Sequence, residues 1–229
     1  MILGQRILAV VPARGGSKGI KLKNLRPYQG IPLITRVGMV LQKIRGVDLS
    51  VVSTDHPKIA ALGLQSGIHL HIRRPASLSG DRIGDWEVLV HALLKAESLT
   101  GQKFEVVVML QPTSPLRTSG QVVKAITRLI KKNLDSVWTV SQAPFKYHPL
   151  KSLVVSLGNL RFFDTRGKKI VARQQLKHSF IRNGIAYVFT RDCLLKQKTI
   201  LGKKSSVLVI HKKTLNVDTL EDLKNTSET

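Results

Sequence analysis

From Arg14 to Lys23 the chain packs four cationic side chains (Arg14, Lys18, Lys21, Lys23), three glycines (Gly15, Gly16, Gly19) and the hydroxyl of Ser17. Cations at this density suit a phosphate chain. Glycines let the backbone approach a phosphate closely, and their N–H groups can point at it. The Walker pattern G-x-x-x-x-G-K-[ST] and the dinucleotide pattern G-x-G-x-x-G both fail on Gly15-Gly16-Ser17-Lys18-Gly19. The chemistry is therefore that of a basic, glycine-rich phosphate loop of another kind.

Other reactive residues offer less. His69 and His71 sit two apart on one predicted strand face, a metal-ligand spacing, but with no third ligand in view they read as packing residues. Cys193 is the single cysteine, so no intrachain disulfide is possible; this fits the cytoplasm, and the thiol reads as a small core hydrophobe. The formal charge of +23 points to anionic partners. The 37 basic residues are spread along the chain, and no recognition helix, zinc pattern or aromatic–glycine RNA signature accompanies them, which argues against nucleic acid. A broad positive field would equally draw in small anions such as a nucleoside triphosphate or a carboxylated sugar, and a basic proteome would give the same excess of charge. No apolar run reaches the roughly 18–20 residues of a membrane span, and the N-terminal apolar stretch, broken by Pro12 and Arg14, lacks a signal-peptide cleavage pattern.

The elements that must position the loop alternate. Ile7 to Val11, apolar throughout, reads as a strand buried on both faces, and ligands bind beyond the carboxyl ends of such strands. A helix is predicted over Ile31 to Ile44 with Pro32 in its first turn, then strands over Leu49 to Ser53 and Ile68 to Ile72 around a helix from Pro57 to Gln65. Asp85 reads as the cap of a helix with Trp86, Leu89, Val90, Leu93 and Leu94 inward; Trp86 is read as core. Phe104 to Leu110 and Asp135 to Val140 read as strands around a helix capped by Thr118 or Ser119, with Val122, Val123, Ile126, Leu129 and Ile130 inward. This is a doubly wound α/β pattern. Between residues 143 and 182 the rhythm changes to short strand-like pieces (Leu153 to Leu157, Leu160 to Phe163, Lys169 to Ala172), a β-hairpin insertion that cannot bury its own faces. Residues 1–142 and 183–229 form the main domain, with strands over Gly184 to Thr190 and Ser206 to His211, a short final helix and a frayed tail from Asn225.

Six segments carry a resemblance. Ala13-Arg14, Ser17-Lys18-Gly19 and Leu22-Lys23-Asn24 match A-R-x-x-S-K-G followed by L-K-N. Arg74-Pro75-Ala76-Ser77-Leu78-Ser79-Gly80-Asp81 matches R-P-A-x-L-x-x-D, and Gln111-Pro112-Thr113-Ser114-Pro115-Leu116-Arg117 matches Q-P-T-S-P-L-R. His148-Pro149-Leu150-Lys151, Arg173-Gln174-Gln175-Leu176 and Asn183-Gly184-Ile185-Ala186-Tyr187 follow in order. Together they resemble the acylneuraminate cytidylyltransferases, the CMP-sialic acid synthetase family, whose fold is a mostly parallel, Rossmann-like nucleotidyltransferase sheet with a dimerising hairpin insertion.

The resemblance implies that the anomeric hydroxyl of a nonulosonic acid attacks the α-phosphorus of CTP, giving CMP-sugar and pyrophosphate. Arg14 and Lys23 would hold phosphates, completed by Ser17 and the Gly15 and Gly16 N–H groups. Asn24 would recognise the nucleotide, and Arg74 cytosine or a phosphate. Gln111, Tyr187 and Asn183 would meet the sugar. Lys151 and Arg173 would bind its carboxylate, Arg173 from the second subunit of a homodimer with a shared site. Mg²⁺ (or Mn²⁺) would sit at a D-x-D pair that here reads Asn216-Val217-Asp218, so Asp218 supplies the carboxylate and Asn216 an amide. Asp85 also departs from the pattern, standing where a small hydroxyl residue is usual. Arg117 is open to two readings, loop carbonyls or ligand. Legionaminic or pseudaminic acid are the alternative sugars; a deoxy-octulosonic acid fits less well, because Ser17-Lys18-Gly19 is wrong for its loop. The alternative of another class is a non-catalytic nucleotide- or RNA-binding module, favoured by the charge and by Asn216.

Overall fold

The computed structural model of the chain describes residues 1–224; the expected fraying of the tail from Asn225 lies outside them. Nine strands are numbered here: β1 (Ile7–Pro12), β2 (Leu49–Thr54), β3 (Leu70–Arg73), β4 (Val106–Met109), β5 (Ser136–Gln142), β6 (Leu153–Ser156), β7 (Asn159–Phe162), β8 (Phe180–Thr190) and β9 (Ser205–Val209). The helices are α1 (Leu33–Leu41), α2 (Pro57–Gln65), α3 (Asp85–Thr100), α4 (Ser119–Lys131), α5 (Arg191–Leu195) and α6 (Leu220–Lys224). Seven strands form one sheet in the order β9-β5-β8-β4-β1-β2-β3, parallel except for β8.

The apolar run of β1 explains its central place. Ile7, Ala9 and Val11 enter one core with Ile34, Val37 and Leu41 of α1 and Val122, Ile126 and Leu129 of α4. Leu8 and Val10, pointing the other way, enter a second core with Leu89, Ala92, Leu93 and Ala96 of α3. With period-two alternation, a strand between two helical layers must be apolar at every position. After β1 the chain moves outward to β2 and β3, then crosses back to β4 on the other flank of β1. That reversal opens a crevice at the carboxyl ends of β1 and β4, where open α/β sheets take ligands.

Several expectations are corrected. The predicted Ile31 to Ile44 helix is shorter: Ile31–Pro32 pairs with Pro27–Tyr28 in a small ribbon, and Pro32 stands at the cap of α1. Gly84, not Asp85, caps α3, and Leu94 is exposed. Lys169 to Ala172 is not a strand; a 3-10 turn over Thr165–Lys169 is closed by the Asp164 carboxylate, which accepts from the Arg166 N–H at 2.9 Å. The return to the sheet expected from Gly184 starts earlier: β8 begins at Phe180, and its pairing with β5 shifts register between Arg182 and Tyr187. Thr118 does cap α4, in a reciprocal box with Gln121. The β6–β7 hairpin stands away from the sheet with Val155, Leu157, Leu160 and Phe163 exposed. Among the described residues no helix is long and apolar enough to cross a membrane.

Candidate active site

The loop after β1 is shaped by contacts that start at the strand end. Ala13 donates its N–H to the Ser53 carbonyl, and Gly15 donates to Asp55 Oδ1 at 2.8 Å. A side chain on Gly15 would meet the His56 imidazole at 3.0 Å, so the glycine serves a close approach. Asn24, buried beneath the loop, donates Nδ2 to the Arg14 carbonyl at 3.0 Å. Lys23 Nζ donates to the Val217 carbonyl and to Asp218 Oδ1, both at 2.9 Å. Val217 in turn donates its N–H to the Thr113 carbonyl. Three segments remote in sequence are thereby clipped together around the crevice.

The loop after β4 is held by Arg117. Its buried guanidinium donates to the carbonyls of Gln111, Gly184 and Ile185, and burial pulls its pKa down to about 9. These three bonds go to carbonyls and Arg117 lies outside the lining of the cleft, which favours the first of its two readings. Ser114 Oγ donates to the Asn183 carbonyl at 2.8 Å, joining this loop to the interruption in β8.

These loops enclose a cleft of about 420 Å³ lined by Arg14, Ser17, Lys18, Lys23, Asn24, Arg74, Gln111 and Asp218, with Gly19, Asp81 and Asp85 completing the walls. Cations from two loops thus face a single volume suited to an anion. Arg74 is the most constrained of them. Its Nε donates to Ser53 Oγ and its Nη2 to the Ser53 carbonyl, and burial, partly opposed by Asp55, lowers its pKa to about 10.

Not every expected residue arrives there. Gly15 directs its N–H to Asp55, and Gly16 is exposed outside the lining, so the glycine amides do not form the expected cradle. Tyr187 is buried, its Oη accepting from the Gly184 N–H at 2.7 Å and its ring 5.1 Å from that of Trp138. Asn183 is buried too, its side-chain Oδ1 accepting from Thr139 Oγ1 and its Nδ2 donating to Ser141 Oγ. Both therefore support the site from within the core. Lys151 and Arg173 line a different pocket of about 500 Å³ with Phe145 and Lys146, and Arg173 stacks 4.5 Å from the Phe145 ring centre. Within one chain they are separate from the cleft.

Asn216 donates Nδ2 to Asp218 Oδ2 at 2.8 Å. No cluster of three or more His, Cys, Asp or Glu side chains capable of holding a metal occurs among the described residues. One carboxylate and one amide carbonyl fit a hard cation that keeps most of its ligands on phosphate and water, as Mg²⁺ does. The histidine pair is otherwise occupied: His69 Nδ1 accepts from the Ser50 N–H, and His71 Nε2 meets the Thr54 carbonyl. Cys193 is buried, which pushes its thiol up to about 11.

Sequence reasoning passed over Asp55 and Asp81. The first reads only as the end of a strand and the second only as the last letter of a loop pattern; nothing local says that either meets a loop 40 or more residues earlier. Asp85 lines the cleft and pairs with Arg182 at 2.9 Å, and that guanidinium lies 4.7 Å from the Trp138 ring centre and 4.9 Å from that of Tyr187.

The strand order, the switch-point crevice and a cation-lined cleft define a nucleotide-binding α/β protein, and the chain belongs to the cytidylyltransferase family, which it matches over residues 8–228. It is similar to the CMP-N,N'-diacetyllegionaminic acid synthase of Campylobacter jejuni, at 28% identity over 219 residues, 95% of this chain and 92% of that protein. It is also similar to the N-acylneuraminate cytidylyltransferase of Streptococcus agalactiae, at 30% identity over 225 residues, 94% of this chain but 51% of that protein. Among solved structures, a CMP:2-keto-3-deoxy-manno-octonic acid synthetase complexed with CTP shares the fold, with a TM-score of 0.69 and 17% identity over 96% of this chain and 95% of that one.

Proposed function

We propose that this cytidylyltransferase activates a nonulosonic acid, of the sialic or legionaminic type, with CTP, releasing pyrophosphate. The observation that carries the reading is the meeting of Arg14, Lys23, Gln111 and Asp218, drawn from three loops, in one cleft at the switch point of the sheet. The names of the two similar enzymes support the sugar class, and the relative whose length this chain matches makes legionaminic acid the first sugar to try.

In this reading the triphosphate lies against Arg14, Lys18 and Lys23. Phosphoryl-type transfer asks the protein mainly for alignment and charge neutralisation. Arg14, presenting a planar fork, can bind two phosphate oxygens at once, whereas Lys18 and Lys23 act as point charges. Asn24 keeps the loop in place through the Arg14 carbonyl. Gln111 offers its amide to sugar hydroxyls from a loop that Arg117 holds rigid. A divalent cation held by Asp218 and the Asn216 carbonyl would neutralise charge on the phosphates; the Asn216 amide must turn to present that oxygen.

The chain works as a homodimer through the insertion in this proposal. The support is the exposed apolar hairpin and the pocket containing Lys151 and Arg173, which would bind the sugar carboxylate in the neighbouring subunit's site. Pyrophosphate release from CTP and Mg²⁺ should be measured with legionaminic, N-acetylneuraminic, pseudaminic and deoxy-octulosonic acids. Turnover with one of the first three is expected; turnover with the octulosonic acid alone, or with none, would overturn the reading.

A further inference from the structure

Two cations of the cleft already hold a counter-charge. Arg14 Nη1 lies 2.8 Å from Asp81 Oδ1, and Lys18 Nζ lies 2.7 Å from Asp81 Oδ2. Arg14 and Lys18 come from the loop after β1, whereas Asp81 comes from the loop after β3, so one carboxylate spans the opening between them. It is 39% exposed, and these two side chains are the cause of its lowered pKa. Lys23 is matched in the same way, by Asp218.

We propose that Asp81 is a built-in counter-ion that occupies Arg14 and Lys18 while the cleft is empty, competes with the phosphate chain for them, and surrenders them as that chain binds. The inference rests on reading the cleft as a triphosphate site. Arg14, Lys18, Lys23 and Arg74 share one volume, and like charges at short range repel. A carboxylate with one oxygen for each of two side chains offsets that repulsion and occupies the N–H groups that a phosphate would otherwise use. A triphosphate carries more charge and more oxygens than a carboxylate, and it displaces Asp81 because it makes the same contacts and more. The exchange also weakens binding of both nucleotide and pyrophosphate, which helps the product leave.

Two exposed ion pairs oppose binding only modestly, so removing the carboxylate should tighten anion binding about threefold to tenfold. The test is calorimetric titration of the wild type, Asp81→Asn and Asp81→Glu with CTP and, separately, with inorganic pyrophosphate. Asp81→Asn should bind both anions more tightly by that factor, its KM for CTP should fall without a rise in kcat, and Asp81→Glu should return the affinities toward the wild-type values. A wild type that binds neither anion overturns the triphosphate reading of the cleft. A wild type that binds both, with Asp81→Asn equal or weaker, overturns the role of Asp81 alone. Should Asp81→Asn fail to fold, Asp81→Ser carries the same comparison.

Discussion

Arg14 separates function from folding because its side chain faces the cleft while its carbonyl does the structural work, accepting the amide of Asn24. Arg14→Ala keeps that carbonyl and removes the guanidinium. Turnover should fall by about 10²-fold or more, the scale set by deleting one donor to developing charge, while stability changes by less than about 1 kcal/mol, as for an exposed ion pair. Steady-state kinetics beside a thermal melt decide it, and an equal loss of folding would count against the role. Asn216 carries a second prediction. Its amide donates to Asp218, so Asn216→Asp replaces a donor with a charged ligand. The half-saturating Mg²⁺ concentration should drop roughly three- to tenfold, because affinity for a hard cation follows the charge of its ligands. An unchanged Mg²⁺ titration would place Asn216 outside the metal's reach.

At the scale of elements, the site depends on the junction between the loop after β4 and the interruption in β8. Gly184 has φ +69°, and a side chain there would come 2.3 Å from Ser114 Oγ and 2.9 Å from Gln111 Oε1. Gly184→Ala should therefore cost roughly 1–3 kcal/mol in a urea melt, from backbone strain and overpacking together. It should also lower activity beyond that loss, since Gln111 is displaced along with Ser114. A stable, fully active variant would show that the junction is not rigid. The β1 strand was legible because burial on both faces leaves a continuous apolar run. The Pro27–Tyr28 ribbon and the start of α1 were not, since Ile31 fits a helix face and a short strand equally well and pairing with Tyr28 decided the matter.

For the whole molecule, the decisive feature is that Lys151 and Arg173 line a pocket separate from the cleft of their own chain. If a dimer brings the pocket of one subunit to the cleft of the other, Arg14→Ala and Lys151→Ala should each be inactive alone. Co-refolded at equal concentration they should regain about a quarter of wild-type activity, since half the dimers are mixed and each has one intact site. No recovery, measured by pyrophosphate release, would place both residues in the same subunit's site. The net charge of +23 belongs to this scale too: a positive field draws anionic substrates to the molecule without specifying where they bind.

The residues themselves determined the alternating α/β architecture and the family, because hydrophobic period and motif spacing are local properties written along the chain. Tertiary structure alone decided which groups share the cleft. Asp81 reaches Arg14 and Lys18, Arg117 is spent on carbonyls, and Tyr187 turns into the core, because each outcome depends on which loops the strand order brings side by side. Distances between residues far apart in sequence are set by sheet topology and packing, and no local pattern encodes them.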